Sequence, residues 1–180
     1  MATKRVNQQA ARHAPAGASK RRRSLEGATE SFRILVLSGP NLQRLGKREP
    51  EIYGEQTLAQ IHAELESLAA EHGARVDCRQ SNYEGELVGW LGDAADAGFA
   101  GILINPGALT HYSYALHDAI KASGLPCVEL HLSNPDAREE FRHTSVVAAV
   151  CVARVAGFGA GSYGLALLGL VESLKRSKGR

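Results

Sequence analysis

Three clusters in the chain gather side chains that bind anions and move protons. The first is Gly39-Pro-Asn-Leu-Gln-Arg-Leu-Gly-Lys-Arg-Glu-Pro-Glu-Ile-Tyr53-Gly54, with Asn41, Arg44, Arg48 and Tyr53 as donors, cations and a phenol. The second is Asn105-Pro-Gly-Ala-Leu-Thr-His111, and the third is Glu129-Leu-His131-Leu-Ser-Asn134, with Arg138 and Arg142 just beyond. Glu129 and His131 are two apart, so on a strand they point to one face. A carboxylate there can orient the imidazole and stabilise the charged form that a general acid requires. The whole set suits an anionic, hydroxylated small molecule and acid–base chemistry without a cofactor. Each member also has an ordinary reading. His131 fits a hydrogen-bonded core histidine, His111 an exposed residue near a helix start, and Arg138 and Arg142 surface pairs with Glu139.

Other chemistries fit less well. The histidines form no close His-x-x-x-His pair, and no Cys or Asp/Glu cluster completes a metal site. A G-x-S-x-G elbow is absent, which weighs against a serine hydrolase. No G-x-G-x-x-G or G-x-x-x-x-G-K-[ST] is expected to follow any strand, so a nucleotide fingerprint is missing.

The elements that must carry these clusters alternate between strands and helices. Ile34–Leu37 is an apolar run suited to a sheet covered on both faces. The loop after it is about fifteen residues long, where two to six are usual between a strand and a helix. An active-site lid and a solvated surface loop both account for that length. Thr57 with Gln60 makes a capping box for a helix whose stripe is Leu58, Ile61, Leu65 and Leu68, ended by Gly73. A second strand covers 75–80. Ser81 with Glu84 predicts another capping box, ahead of a helix burying Leu87, Trp90, Leu91 and Ala94. Strands follow at 101–104 and 127–132. A helix runs from 110–113 to Ala122, and a short one covers 136–141. A fifth strand is expected over Val146–Val155, and a last helix over Tyr163–Lys175 packs through Leu165, Leu167, Leu168 and Leu174.

This alternation implies right-handed crossovers and a parallel sheet between two helical layers. Five strands at this spacing favour a flavodoxin-like order, an α/β three-layer sandwich with a five-stranded parallel sheet. Ligands of such sheets bind beyond the carboxyl ends of the strands, and all three clusters lie there.

The chain of 180 residues suits one such domain over 32–180, preceded by a basic extension over 1–31 without apolar periodicity. Residues 1–30 hold seven of the 21 Lys/Arg and two of the 19 Asp/Glu, leaving 14 against 17 in the body. The slightly acidic body argues against a nucleic-acid surface on the domain. The extension reads as disordered; its Arg-rich composition is also that of a transit peptide or a nucleic-acid-binding arm. No apolar run is long enough to span a bilayer. Cys78, Cys127 and Cys151 lie in apolar, strand-like segments and read as buried, reduced packing residues in a cytoplasmic protein.

Taken together, Gly39-Pro-Asn-Leu with Leu45-Gly-Lys-Arg-Glu-Pro-Glu-Ile-Tyr-Gly54, Ile104-Asn-Pro-Gly-Ala-Leu-Thr-His-Tyr-Ser113, and Glu129-Leu-His-Leu-Ser-Asn134 with Ala137-Arg-Glu-Glu-Phe-Arg142 resemble type II 3-dehydroquinate dehydratase. The likeness covers about Arg33 to Leu174, with the motifs in the family's order and spacing. Ser38 stands where many members have Asn or Gln, and Gln43-Arg44 varies a common Asn-Leu pair. The resemblance implies a cofactor-free hydro-lyase of the shikimate pathway, assembled as a dodecamer of four trimers, with no nucleic-acid or membrane partner. Its reaction converts 3-dehydroquinate to 3-dehydroshikimate by anti elimination through an enolate. By the same resemblance Tyr53 is the base, Arg48 activates it, His131 is the general acid held by Glu129, and Asn41 positions a water on the enolate. Asn105, His111, Arg142 and the Leu132–Ser133 backbone bind substrate, Arg138 supports the lid, and Asp118 reaches a neighbouring subunit's site. On the residues alone, a non-catalytic flavodoxin-like module binding FMN or another anion is the alternative.

Overall fold

The computed structural model describes residues 31–47 and 55–179. Arg48, Tyr53 and the basic extension lie outside the described residues. Five strands, β1 (Phe32–Ser38), β2 (Ala74–Gln80), β3 (Gly101–Asn105), β4 (Cys127–His131) and β5 (Ala153–Ala156), form one parallel sheet in the order β2-β1-β3-β4-β5. This is the expected flavodoxin-like order, and it reverses direction between β1 and β3. Helices α1 (Leu58–Glu71) and α4 (Gly161–Lys178) cover one face, and α2 (Glu84–Gly92) and α3 (Tyr114–Ser123) the other.

The central strands are buried because both faces are covered. Ile34, Val36 and Leu103 face the α1/α4 layer, while Leu35, Leu37, Ile102 and Ile104 face α2/α3. Near-continuous apolar runs are what such positions require. The Thr57–Gln60 capping box forms as expected, with both reciprocal bonds present. Ser113 caps α3 through Leu116 N–H, and Gly124 closes it in the left-handed conformation.

Five local expectations are corrected. The fifth strand is confined to Ala153–Ala156; Val146–Cys151 is instead an irregular segment with a 3-10 turn at Ala148–Val150. It packs Val147 into the core and sends Val146 N–H to Thr110 O at 2.8 Å, so its apolar residues mark a buried loop. Ser81 and Glu84 do not form a capping box: Ser81 Oγ accepts from Tyr83 N–H and donates to Glu86, while Glu84 takes the Ser113 hydroxyl. The short helix at 136–141 is a pair of 3-10 turns, Pro135–Ala137 and Glu140–Arg142. Leu165 is exposed, and α4 packs through Leu167, Leu170, Val171 and Leu174. All three cysteines are free thiols, but Cys78 and Cys151 are only half-buried, and Cys151 lies in a loop beside Cys127.

The expectation that no G-x-G-x-x-G follows a strand is also corrected: Gly159-Ala-Gly-Ser-Tyr-Gly164 has that spacing after β5 and runs into the first turn of α4. Here it serves packing: Ser162 Oγ accepts from Phe158 N–H, and a Cβ on Gly164 would meet Leu68 at 3.2 Å. It follows the sheet's edge strand, away from the reversal point where ligands bind.

Gly39 joins the first two clusters. Its N–H donates to Asn105 O at 2.8 Å, and an added Cβ would lie 2.7 Å from Pro106 O. Because that obstruction is backbone, Gly39→Ala must move β1 or β3. The expected cost is about 1–3 kcal/mol of stability, seen as a lower urea midpoint at unchanged slope.

Candidate active site

A concave pocket opens at the carboxyl ends of β1, β3 and β4, at the reversal point of the strand order. All three clusters reach it. Asn41, Leu42 and Leu45 form one wall, Asn105, Gly107 and His111 a second, and His131, Leu132, Ser133, Arg138 and Arg142 the third.

The first wall is a strained, braced turn. Asn41 has φ 68°, the left-handed region that asparagine tolerates better than most residues. Its N–H donates to Asn82 Oδ1 at 2.8 Å, and Gln80 Nε2 bridges Asn82 to Gly39 O and Gln43. The loop is therefore fastened to the end of β2. Gly46, at φ 79°, sits where a Cβ would be 2.8 Å from Glu55 O. Gly46 and Glu55 are thus packed backbone against backbone, with no room for a side chain at Gly46.

On the third wall, His131 Nε2 lies 2.6 Å from Glu129 Oε1, as their positions two apart on β4 require. A carboxylate only accepts, so Nε2 carries a hydrogen and Nδ1 is the nitrogen left for a ligand. Glu129 is fully buried and also takes the hydroxyls of Thr110 (2.5 Å) and Ser145 (3.0 Å). Burial pushes its carboxyl up, but hydrogen bonds from His131, Thr110 and Ser145 and the histidine's charge outweigh that, and its pKa falls below the ordinary value. A buried carboxylate so surrounded is a fixed negative charge under the ring.

The sign of that shift gives a test. A depressed carboxylate stabilises the fold above its unfolded pKa of about 4.3 and loses the contribution as pH falls through its folded value. Glu129→Gln is expected to cost about 2 kcal/mol at pH 7, and the gap to the unmodified chain should close progressively below about pH 4. Urea unfolding at several pH values reads it.

His111 Nδ1 donates to Thr144 O at 2.8 Å, leaving Nε2 for the pocket, and its ring stands edge-on to Phe141. Arg142 pairs with Glu139 at 2.8 Å and stacks on Phe141, and Arg138 also reaches Glu139 at 3.4 Å. The surface pairing and the pocket lining are therefore both real for these arginines. Two guanidinium groups, Asn105 and the Ser133 segment suit a carboxylate and hydroxyls.

Of the expected residues, Asn41, Asn105, His111, His131, Leu132, Ser133, Arg138 and Arg142 are brought together, with Glu129 directly behind His131. Asp118 is not: it is exposed on α3 and does not line this pocket. Ser145, Gln80 and Asn82 support the site without any motif to announce them, and Thr110, inside the second cluster, supports it through Glu129. Arg154 was also unforeseen; it pairs in register with Glu129, its Nε 4.0 Å from Oε1, and its Nε and Nη2 are buried without a hydrogen-bond partner. Among the described residues no three of His, Cys, Asp and Glu gather to hold a metal, and no helix is long and apolar enough to cross a membrane.

Comparison with known proteins agrees with this geometry. The family model for dehydroquinase class II matches residues 32–171. The chain is 57% identical over 142 residues to the 3-dehydroquinate dehydratase of Deinococcus radiodurans, covering 79% of this chain and 99% of that one. It is 56% identical to that of Thermus thermophilus, covering 79% and 95%. Among solved structures, the type II dehydroquinase from Propionibacterium acnes aligns with a TM-score of 0.76 at 46% identity, over 79% of this chain and 97% of that chain. A 3-dehydroquinate dehydratase-like protein from Bifidobacterium longum aligns at 0.60 and 31% identity, over 80% and 98%.

Proposed function

Since this chain belongs to the class II dehydroquinases, a family of hydro-lyases, we propose that its rim pocket dehydrates 3-dehydroquinate to 3-dehydroshikimate with a tyrosine base and a histidine acid. Dehydration in the shikimate pathway follows from the named relatives, and the FMN-module alternative finds no support among them. The finer mechanism is our reading, and the observation that carries it is the buried Glu129–His131 pair opening onto a pocket walled by arginines.

In this mechanism Arg142, His111, Asn105 and the Leu132–Ser133 backbone hold the substrate's carboxylate and hydroxyls. Tyr53, activated by Arg48, removes a proton beside the ketone, and the resulting enolate is stabilised by a water that Asn41 positions. His131 then gives its Nδ1 proton to the departing hydroxyl, which leaves as water while Glu129 keeps the ring in place. Arg138 supports the loop that carries Arg48 and Tyr53. Asp118, exposed on α3, serves a neighbouring subunit's site in a dodecamer of four trimers acting in the cytoplasm. Exposed Tyr83, Tyr112 and Tyr114 are the surface chemistry such an assembly would bury. Incubation with 3-dehydroquinate should raise the ultraviolet absorbance of a conjugated enone. A folded oligomer without that rise sinks the enzymatic reading, and sedimentation of a monomer sinks the assembly.

A further inference from the structure

We propose that Tyr163 is a positioning residue for Asn105, its buried hydroxyl fixing the direction in which the Asn105 amide faces the pocket. This rests on the reading of Asn105 as a substrate contact. Four polar side chains form a line through the apolar layer between the sheet and α1/α4: Asn105 at the end of β3, Tyr163 on α4, Ser38 at the end of β1 and His62 on α1. Asn105 Nδ2 lies 3.5 Å from Tyr163 Oη, Tyr163 Oη lies 2.9 Å from Ser38 Oγ, and Ser38 Oγ lies 3.5 Å from His62 Nε2. Ser38 and Asn105 are paired in register across β1 and β3, so the tyrosine meets both strand ends at once. Tyr163 is 1% exposed, and no other hydrogen bond to its hydroxyl is present among the described residues.

The donors and acceptors along this line can be assigned one by one. Gly107 N–H donates to one end of the Asn105 amide at 3.2 Å, so that end is the oxygen. The nitrogen therefore faces Tyr163, whose oxygen must accept. The phenol has a single proton, and Ser38 Oγ at 2.9 Å is the place for it. That leaves Ser38's own proton for His62 Nε2 at 3.5 Å, which accepts it in the tautomer protonated on Nδ1. Burial, opposed by Glu66, holds the His62 pKa below its ordinary value, and burial pushes the Tyr163 phenol up to about 12, so the ring is neutral and the phenol keeps the proton it gives to Ser38. The amide is thus pinned from both ends, leaving its second N–H and one carbonyl lone pair for the pocket. Ser38, at a position where a substrate contact was conceivable, is fully buried and acts through the tyrosine instead.

The test is a double-mutant cycle on kcat/KM with 3-dehydroquinate. Tyr163→Phe keeps the ring and removes the hydroxyl; the expected loss is about tenfold, the scale of one lost hydrogen bond. In an Asn105→Ala background the same change should cost less than about twofold, because nothing is left to position. An equal loss in both backgrounds, or none in either, overturns the inference and leaves the tyrosine a packing residue. Asn105→Ala with undiminished kcat/KM overturns the substrate-contact reading itself, a separate failure. If Tyr163→Phe does not fold, Ser38→Ala takes its place in the cycle, with a loss of about threefold expected in the parent and none beside Asn105→Ala.

Discussion

Replacing His131 with alanine is expected to lower kcat by about 10²- to 10⁴-fold, the usual worth of a positioned general acid. The departing group in a dehydration is hydroxide unless it is protonated as it leaves, and His131 is the described donor best placed to do so. Its Nε2 is committed to Glu129 at 2.6 Å, so the proton must come from Nδ1. Alanine also leaves Glu129 buried with the Thr110 and Ser145 hydroxyls as its hydrogen-bond donors and Arg154 at 4.0 Å as its nearest described cation. Stability should fall too, and kcat must be compared well below the variant's melting temperature. The distinguishing readout is the dependence on the leaving group. At any one pH, a substrate analogue whose leaving group departs without a proton should lose far less rate in His131→Ala than 3-dehydroquinate does, whereas simple destabilisation would slow both alike. Near-wild-type kcat would remove the proposed acid.

The fold was legible where physics is local. The runs Ile34–Leu37 and Gly101–Ile104 read as strands because both faces of a central parallel strand are apolar, and Thr57–Gln60 read as a helix start because a capping box is a short-range device. Val146–Cys151 misled for the converse reason. Periodicity registers burial, and Val147 is fully buried, but nothing local says that the backbone must turn so that Ser145 can reach Glu129 and His117 can reach Val146 O. The charged and aromatic parts of the site were legible as motifs at strand ends. The hydroxyls were not: Thr110 and Ser145 are 35 residues apart, Ser38 and Tyr163 are 125 apart, and a serine's type carries no spacing signal. Family departure at Ser38 marked the position without revealing its partner.

The second large effect is expected at Tyr53. A free phenol has a pKa of about 10, so a tyrosinate acting at neutral pH needs roughly 4 kcal/mol of stabilisation, and a nearby guanidinium in a water-poor site is the physical means available. Arg48 is five residues away on the same segment. The described residues before it include Leu42 and Leu45, which form the pocket wall. Tyr53→Phe is therefore expected to lower kcat by about 10²- to 10⁴-fold while the urea midpoint hardly moves, since the ring remains. Arg48→Ala should act differently. The base persists but loses its cation, so the rising limb of the pH–rate profile should shift toward the free phenol's value of about 10, and part of the lost rate should return at alkaline pH. A Tyr53→Phe enzyme that keeps the rising limb would show that some other group takes the proton. An Arg48→Ala enzyme whose profile is lowered without being shifted would assign the arginine to substrate binding instead.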